Sequence, residues 1–465
     1  MTGLSAGPPA PLRSGGARRT DVSRETQVAS DDRAAVTVPT SHTGDGRGPT
    51  GVTRALRHRN YRLFFGGQGV SLIGTWTQRV ALNWLVYRLS GSALLLGVVG
   101  FASQIPILLL AAPAGVLADR WDLRRVLMLT QVLALLQAAV LALLTLTGVV
   151  TVWHILVLSA FVGLINAIDI PVRQAFVVQM VERPEDLGNA IALNSFLVNG
   201  ARLIGPSLAG VLIAAIGEGP CFLLNAVSFV GVILALWAMT LAPRRSPSPH
   251  VPFAQGLREG FAYAFGFPPI RAMLLLLAVC SLMGMSYTTL LPIFTKELLG
   301  GGPHTLGFLL GAAGLGAVIG AVYLAARRTV LGLGKIIAFG AGLFGLSLMA
   351  FAASRALWLS LSLMLLAGLG MMLQIASSNT VLQTIVDNDK RGRVMSLYAM
   401  AFLGMTPLGS LLAGGLAQVL GAPRTVMLGG GCCVLGALVF AGRLRALRAL
   451  VRPIYERKGI LPEVS

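Results

Sequence analysis

Charge is the scarcest property of this chain. Asp, Glu, Lys and Arg make up 12% of its 465 residues, about half the share of an ordinary soluble domain, while the hydrophobic fraction reaches 55% and the mean hydropathy +0.76. Such a composition leaves no room for a soluble catalytic domain. Cysteine is sparse as well: Cys221, Cys280, Cys432 and Cys433 lie in apolar runs without metal-ligand spacing, so free buried thiols are expected. The 5 histidines form no paired motif, no phosphate-binding Gly-Lys loop is present, and no nucleophile stands at recognisable spacing from a base. These absences argue against an enzyme and against ATP-driven pumping, and neither a metal site nor a cofactor is expected. No apolar segment follows Met1, so a cleaved signal peptide is not expected either.

What fills the chain instead is about a dozen apolar stretches between residues 62 and 443, each roughly twenty residues long. At about 1.5 Å per residue each can cross a hydrocarbon core of ~30 Å. The runs are continuous rather than alternating, which favours helices over a barrel. The expected fold is all-α, a polytopic membrane protein of twelve transmembrane helices in two six-helix bundles. Spans are expected at 63–87, 93–117, 126–149, 152–175, 189–215, 221–241, 271–295, 305–326, 335–353, 356–379, 393–419 and 424–443.

A net charge of +19 and a pI near 11.1 would suggest nucleic-acid binding in a soluble protein, but location decides otherwise. With twelve spans and a cytoplasmic N-terminus, Arg120, Arg124, Arg125, Arg173, Arg183, Arg244, Arg245, Arg258, Arg271, Arg327, Arg328, Lys335, Lys390, Arg391, Arg393 and the run from Arg443 to Lys458 share one side with the basic tail. The opposite loops hold only Arg88, Lys296, Arg355 and Arg424. This bias places both termini in the cytoplasm of a multi-pass cell-membrane protein, with anionic lipids rather than nucleic acid as partners. A monomer is expected.

Five segments follow: a disordered cytoplasmic tail over 1–60, a first bundle over 61–242, a Pro-rich linker with an amphipathic stretch over 243–270, a second bundle over 271–443, and a basic tail over 444–465. Shifting the first half by 204 positions brings Gln179 onto Gln383, Gly188 onto Gly392, Leu193 onto Leu397, Gly205 onto Gly409, Leu208-Ala-Gly210 onto Leu412-Ala-Gly414 and Gly217 onto Gly421. Two parallel six-helix repeats predict a binding site between the halves near the midplane.

The loop after the second span reads Gly115-Val-Leu-Ala-Asp119-Arg120-Trp-Asp122-Leu-Arg124-Arg125. An acid at a helix end beside basic groups offers ion pairs that can lock one face closed, although a plain basic turn with incidental acids reads the same way. The loop resembles the gating signature of the major facilitator superfamily, departing from it at Asp122 and Leu123. A narrower resemblance, to the enterobactin-exporter and macrolide-efflux group, rests on Asn60-Tyr-Arg-Leu-Phe-Phe-Gly-Gly-Gln68, Leu72-Ile-Gly-Thr-Trp76, Asn166-Ala-Ile-Asp169-Ile-Pro171, Asn189-Ala-Ile-Ala-Leu-Asn194-Ser195 and Leu223-Leu-Asn225. The resemblance implies the major facilitator fold, alternating access and export of an amphiphilic small molecule such as a siderophore or macrolide, usually with proton antiport. Asn166, in the third of these segments, is counted among the expected cavity residues. The arginine pattern of proton antiporters in the fourth span is absent, so coupling does not follow from the resemblance.

Within the spans, a helical projection puts Gln68, Thr75, Trp76, Arg79 and Asn83 on one face of the first helix. Arg79 lies about 25 Å along its helix from Arg62, so it either snorkels to the far headgroups or lines a wet cavity. Asn194 and Arg202 form a second polar face, and Arg202 sits near mid-membrane. Beside it, Gly205, Pro206 and Gly210 suit close helix packing or a bend. Asp169 is the one acid expected inside the membrane, either in a structural ion pair or as the coupling group. In the second half Tyr287, Met371, Gln374 and Ser378 suit a cavity wall for varied ligands, although methionine stripes also serve ordinary packing. A receptor or scaffold, or a carrier working in the uptake direction, would use the same features.

Overall fold

The computed structural model describes residues 51–118, 122–240, 253–327, 329–387 and 390–460, and no strand occurs among them. The first six spans are α1 (Arg59–Ser90), α2 (Ala93–Ala118), α3 (Leu123–Leu146), α4 (Val152–Met180), α5 (Leu187–Ile216) and α6 (Glu218–Ala238). A short amphipathic helix, α7 (Phe253–Gly266), precedes the second half. There the seventh span is α8 (Pro268–Val279) and α9 (Tyr287–Ile293), separated and followed by wide π-type turns at Cys280–Gly284 and Phe294–Leu298. Next come α10 (Pro303–Ala325), α11 (Leu333–Ala353) and α12 (Leu357–Ile385). The eleventh span, α13 (Arg391–Ala399) and α14 (Met405–Leu420), carries its own wide turn at Met400–Gly404, and α15 (Ala422–Arg457) closes the fold.

Among the described residues 11 helical stretches are long and apolar enough to cross a membrane. The twelfth span is α1, long enough at 32 residues but made polar by Arg62, Gln68, Gln78, Arg79 and Asn83. A helix satisfies most of its backbone groups internally, so each span can sit in lipid. Two expectations shift at the ends. The tail expected to stay unfolded through residue 60 is folded from Gly51, because Ala55 N–H donates to Asn189 Oδ1 at 2.9 Å and the His58 ring bonds Asp186 at 3.0 Å. The last helix runs on to Arg457, with Leu447 and Val451 buried where a basic tail is expected to begin at 444.

Helices α1 to α6 pack as one bundle, with α1 against α5 and α6, α2 against α4, and α3 against α4 and α6. In the second bundle α12 packs on α10 and α11, while α15 packs on α11 and α8. Across the bundles two crossings dominate, α5 with α10 and α2 with α14. Both occur at glycine pairs. A Cβ on Gly97 would lie 3.0 Å from Gly414 Cα, and one on Gly210 would lie 2.9 Å from Gly307 Cα, so only glycine permits this approach.

These crossings sit toward the end of the molecule opposite its arginine-rich loops. The polar ties between the bundles lie at that end or at mid-depth: Tyr87 Oη donates to Glu297, Ser92 Oγ reaches Gln418 at 3.4 Å, and Arg202 reaches Met371. Farther toward the basic face, a Cβ on Gly200 or Gly188 of α5 would meet open space, and Ser195 and Phe196 are exposed. The bundles thus converge on the charge-poor face and part toward the basic one.

Candidate functional site

The centre of the molecule is organised around Trp76. Gly205 carries no side chain, so α5 comes directly against the Trp76 Cβ of α1, and Thr77 Oγ1 bonds the Gly205 carbonyl at 3.3 Å beside this contact. So held, the indole presents its face to two cations. The guanidinium carbon of Arg79, one turn further along α1, lies 4.6 Å from the ring centroid, and that of Arg202 on α5 lies 5.9 Å away.

Arg202 is the residue that spans the gap. Its Nη2 stands 3.9 Å from Met371 Sδ on α12, and it is close enough to Arg79 for the two charges to repel. Tyr287, buried on α9 with its ring edge-on to Phe344 at 6.3 Å, lies within the field of Arg202. No carboxylate pairs with Arg79 or Arg202 among the described residues. Arg79 is exposed, and its guanidinium lies over Trp76 beside that of Arg202. The arrangement is a pair of uncompensated cations on an aromatic plate, supplied by one bundle and faced by Met371 and Tyr287 of the other.

Comparison with known proteins accords with this geometry. The transmembrane secretion effector family matches residues 50–453, nearly all of the described fold. The chain belongs to that family of the major facilitator superfamily. It is 29% identical over 384 residues to the staphyloferrin A transporter of Staphylococcus aureus, covering 82% of this chain and 95% of that protein. It is also 29% identical over 395 residues to the multidrug efflux pump Tap of Mycolicibacterium fortuitum, covering 80% and 93%. Macrolide efflux protein A of Streptococcus pyogenes is 21% identical over 82% of this chain and 96% of its own length. Among solved structures, a bacterial homologue of the iron transporter ferroportin in an inward-facing state superposes with a TM-score of 0.66 at 19% identity, covering 83% of this chain and 98% of that one. The protein is therefore a multi-pass cell-membrane transporter of a small molecule, and not an enzyme.

The other residues that the sequence singles out lie around the central cluster or beyond it. Gln68 is buried about two helical turns from Trp76, while Asn83, Asn166 and Asn194 are half-buried. The Thr75 hydroxyl donates to its own helix, at Ser71 O, 2.9 Å away. On α12, Gln374 and Ser378 are buried, and Gln374 Nε2 and Ser378 Oγ have no hydrogen-bond partner among the described residues. Gly205 packs on Trp76, Pro206 O and Gly210 pack on Gly307, and these three make the seam between α5 and its neighbours.

Asp169 lies between α3 and α4, with Thr130 Oγ1 and Gln131 Nε2 donating to one carboxylate oxygen at 2.8 Å each and Arg173 paired to the other. Of the gating residues, Asp119 and Arg120 lie outside the described residues, and Gly115 falls within α2. Arg124 donates to the carbonyls of Leu236 and Trp237 at 2.8 Å each, which satisfies the end of α6 within the same bundle. Arg125 makes an exposed pair with Asp122 at 3.2 Å.

On the charge-poor face the structure brings together groups at the ends of spans and in the adjoining loops. Tyr87 of α1 bonds Glu297, and Lys296 sits 5.7 Å from the Tyr87 ring, so the two bundles are tied there. Arg88 forms a two-point pair with Glu218 at 2.8 and 3.3 Å. The available signal was scarcity: four charges near the ends of spans on a face nearly free of charge.

Proposed function

We propose that this transporter exports an amphiphilic small molecule of the siderophore, macrolide or drug-like kind by alternating access, with the basic face in the cytoplasm. The observation that carries the reading is the Arg202 contact with Met371 beneath the sealed glycine crossings. It supports a binding site shared by both bundles, reached from the basic side and closed on the other. Positive-inside bias supports the cytoplasmic assignment of that side, and with it both termini. Substrate would enter from the cytoplasm or inner leaflet and meet Trp76, Arg79 and Arg202. The bundles would then rock to close the basic face and part the α2–α14 and α5–α10 crossings.

Export against a gradient needs a coupling ion, and Asp169 is buried midway along α4, whereas the other acid buried in a span among the described residues, Glu218, stands at the very start of α6 and pairs with Arg88. Proton antiport through it would require protonation to release Arg173. The names of the relatives, a staphyloferrin A transporter and drug efflux pumps, support the substrate range and the outward direction. The test is accumulation of a panel of fluorescent drugs and iron-chelate probes in an efflux-deficient host. Cells carrying the wild type should hold at least one probe at a level several-fold below vector controls. Arg202→Ala, expressed equally, should restore accumulation. Equal accumulation in all three strains would overturn export, and raised accumulation with the wild type would reverse its direction.

A further inference from the structure

We propose that the substrate is a polyanion, an amphiphile carrying at least two carboxylate-like groups, which Arg79 and Arg202 hold together over Trp76. The inference deepens the exporter reading and rests on it for the identity of the site.

Three observations carry it. First, both guanidinium groups stand on the face of one indole, 4.6 and 5.9 Å from its centroid, and neither has a carboxylate partner among the described residues. An arginine within a membrane span is ordinarily paired, or marks the path of a ligand. Other arginines at or within the spans are held by the protein: Arg173 has Asp169, Arg88 has Glu218, and Arg124 has two carbonyls. Arg79 and Arg202 stand together with no such partner among the described residues.

Second, the two charges repel one another, so each raises the cost of the other in the unliganded protein. That arrangement is retained at low cost only if something negative is meant to enter between them. A single carboxylate neutralises one charge, whereas a ligand with two or more relieves both and gains from their proximity. Monocations and neutral macrocycles meet repulsion or no compensation at all.

Third, the facing wall suits the rest of such a molecule. Met371 touches Arg202, and Ser378 lies on the same helical stripe two turns on. Gln374, between them, holds a buried amide nitrogen with no partner, as does the Ser378 hydroxyl. A buried donor left unpaired is costly, so these groups fit the hydroxyl or carbonyl oxygens of a ligand. The plate of Trp76 and the Met371 side chain accept its apolar part.

The proposal predicts selectivity by charge. Purified full-length protein in nanodiscs would be titrated with benzene-1,3,5-tricarboxylate, its neutral trimethyl ester, and the cation tetraphenylphosphonium, with tryptophan fluorescence and thermal shift as readouts. The tricarboxylate should bind at least about tenfold more tightly than its ester, and added salt should weaken it. Arg79→Gln and Arg202→Gln should each cost about tenfold or more, while Arg79→Lys and Arg202→Lys, which keep the charge but lose the planar fork and its stacking on Trp76, should lose less than the Gln variants and keep the preference for the tricarboxylate over its ester. The Lys variants also serve if a Gln variant fails to fold.

Tighter binding of the cation or the ester, no binding of the tricarboxylate, or equal affinity in the wild type and the Gln variants would overturn the polyanion site and leave export untouched. Counterflow of labelled tricarboxylate in proteoliposomes separates the two readings. Binding without exchange would sink the transport reading at this site, and exchange of neutral probes alone would sink the polyanion.

Discussion

Asp169 shows how a single buried group can carry two incompatible roles until its partners are known. Its carboxylate receives Thr130, Gln131 and Arg173, two of them from α3 and one from the next turn of its own helix. Such a set holds α3 to α4 and compensates the only charge that Arg173 brings into the bundle. Removing one member of a buried pair costs about 3–5 kcal/mol because the other is left uncompensated. Asp169→Asn should therefore lower the apparent melting temperature in detergent by about 5 °C, and Asp169→Asn combined with Arg173→Gln should recover most of the loss. If Asp169 is also the coupling group, a pH step across the membrane will drive export in the wild type but not in a folded double variant. Pair-dependent stability with pH-driven export intact would assign the residue to structure alone.

At the scale of the helices, the repeat visible in the sequence has a physical meaning. Gly217 and Gly421, matched by the shift of 204, both take left-handed φ, at 85° and 83°, and turn α5 into α6 and α14 into α15. Gly205 and Gly409 each admit a neighbouring helix, Trp76 of α1 in one case and Leu282 with Ser286 in the other. Gly210 and Gly414 make the two crossings that seal the charge-poor face. A valine at either crossing must push the backbones apart, at a cost of about 1–3 kcal/mol to the closed state. Gly414→Val and Gly210→Val should thus favour opening on that face. With Ser92→Cys as reporter, labelling by a membrane-impermeant maleimide added outside should quicken several-fold, and an unchanged rate would show that the crossings do not gate access.

The same comparison shows what was legible. The helical class and the number of spans follow from hydropathy, which depends on local sequence. Trp76, Arg79 and Arg202 could be nominated because charges and indoles are conspicuous in lipid. Their meeting depends on the close approach at Gly205, a tertiary fact with no local signature. Thr75 shows the limit of a helical projection, since its hydroxyl is satisfied by its own backbone. The wide turns at Cys280–Gly284 and Met400–Gly404 were also invisible, because nothing in an apolar run marks where one hydrogen bond is released. Arg124, expected at the inner gate, also donates to the end of α6, a contact set by where a neighbouring helix ends and not by local sequence.

Across the whole molecule, the two faces differ in charge and in packing, and the exporter reading needs these differences to coincide. Basic side chains concentrate on the face where the bundles part. The extended end of α15 adds Arg443, Arg445, Arg448, Arg452 and Arg457, and a groove of about 630 Å³ lies beside it, lined by Met273, Ile337, Leu444 and Arg448. Each basic group near an anionic leaflet contributes about 1 kcal/mol, so the orientation proposed above sets this face against the acidic lipids of the cytoplasmic side. In that orientation the open side is the side from which an exporter would load. Two measurements fix the arrangement independently. An alkaline phosphatase fused after residue 460 should be inactive in intact cells while a green fluorescent protein at the same place should fluoresce, and the same pair inserted after Gly148 should give the reverse. In proteoliposomes, replacing phosphatidylglycerol by phosphatidylcholine should slow counterflow several-fold, with charge reversal at Arg448 and Arg452 mimicking part of the loss. An active phosphatase at 460 would place the basic, open face outside the cell, and the same cavity would then load from the medium and serve uptake.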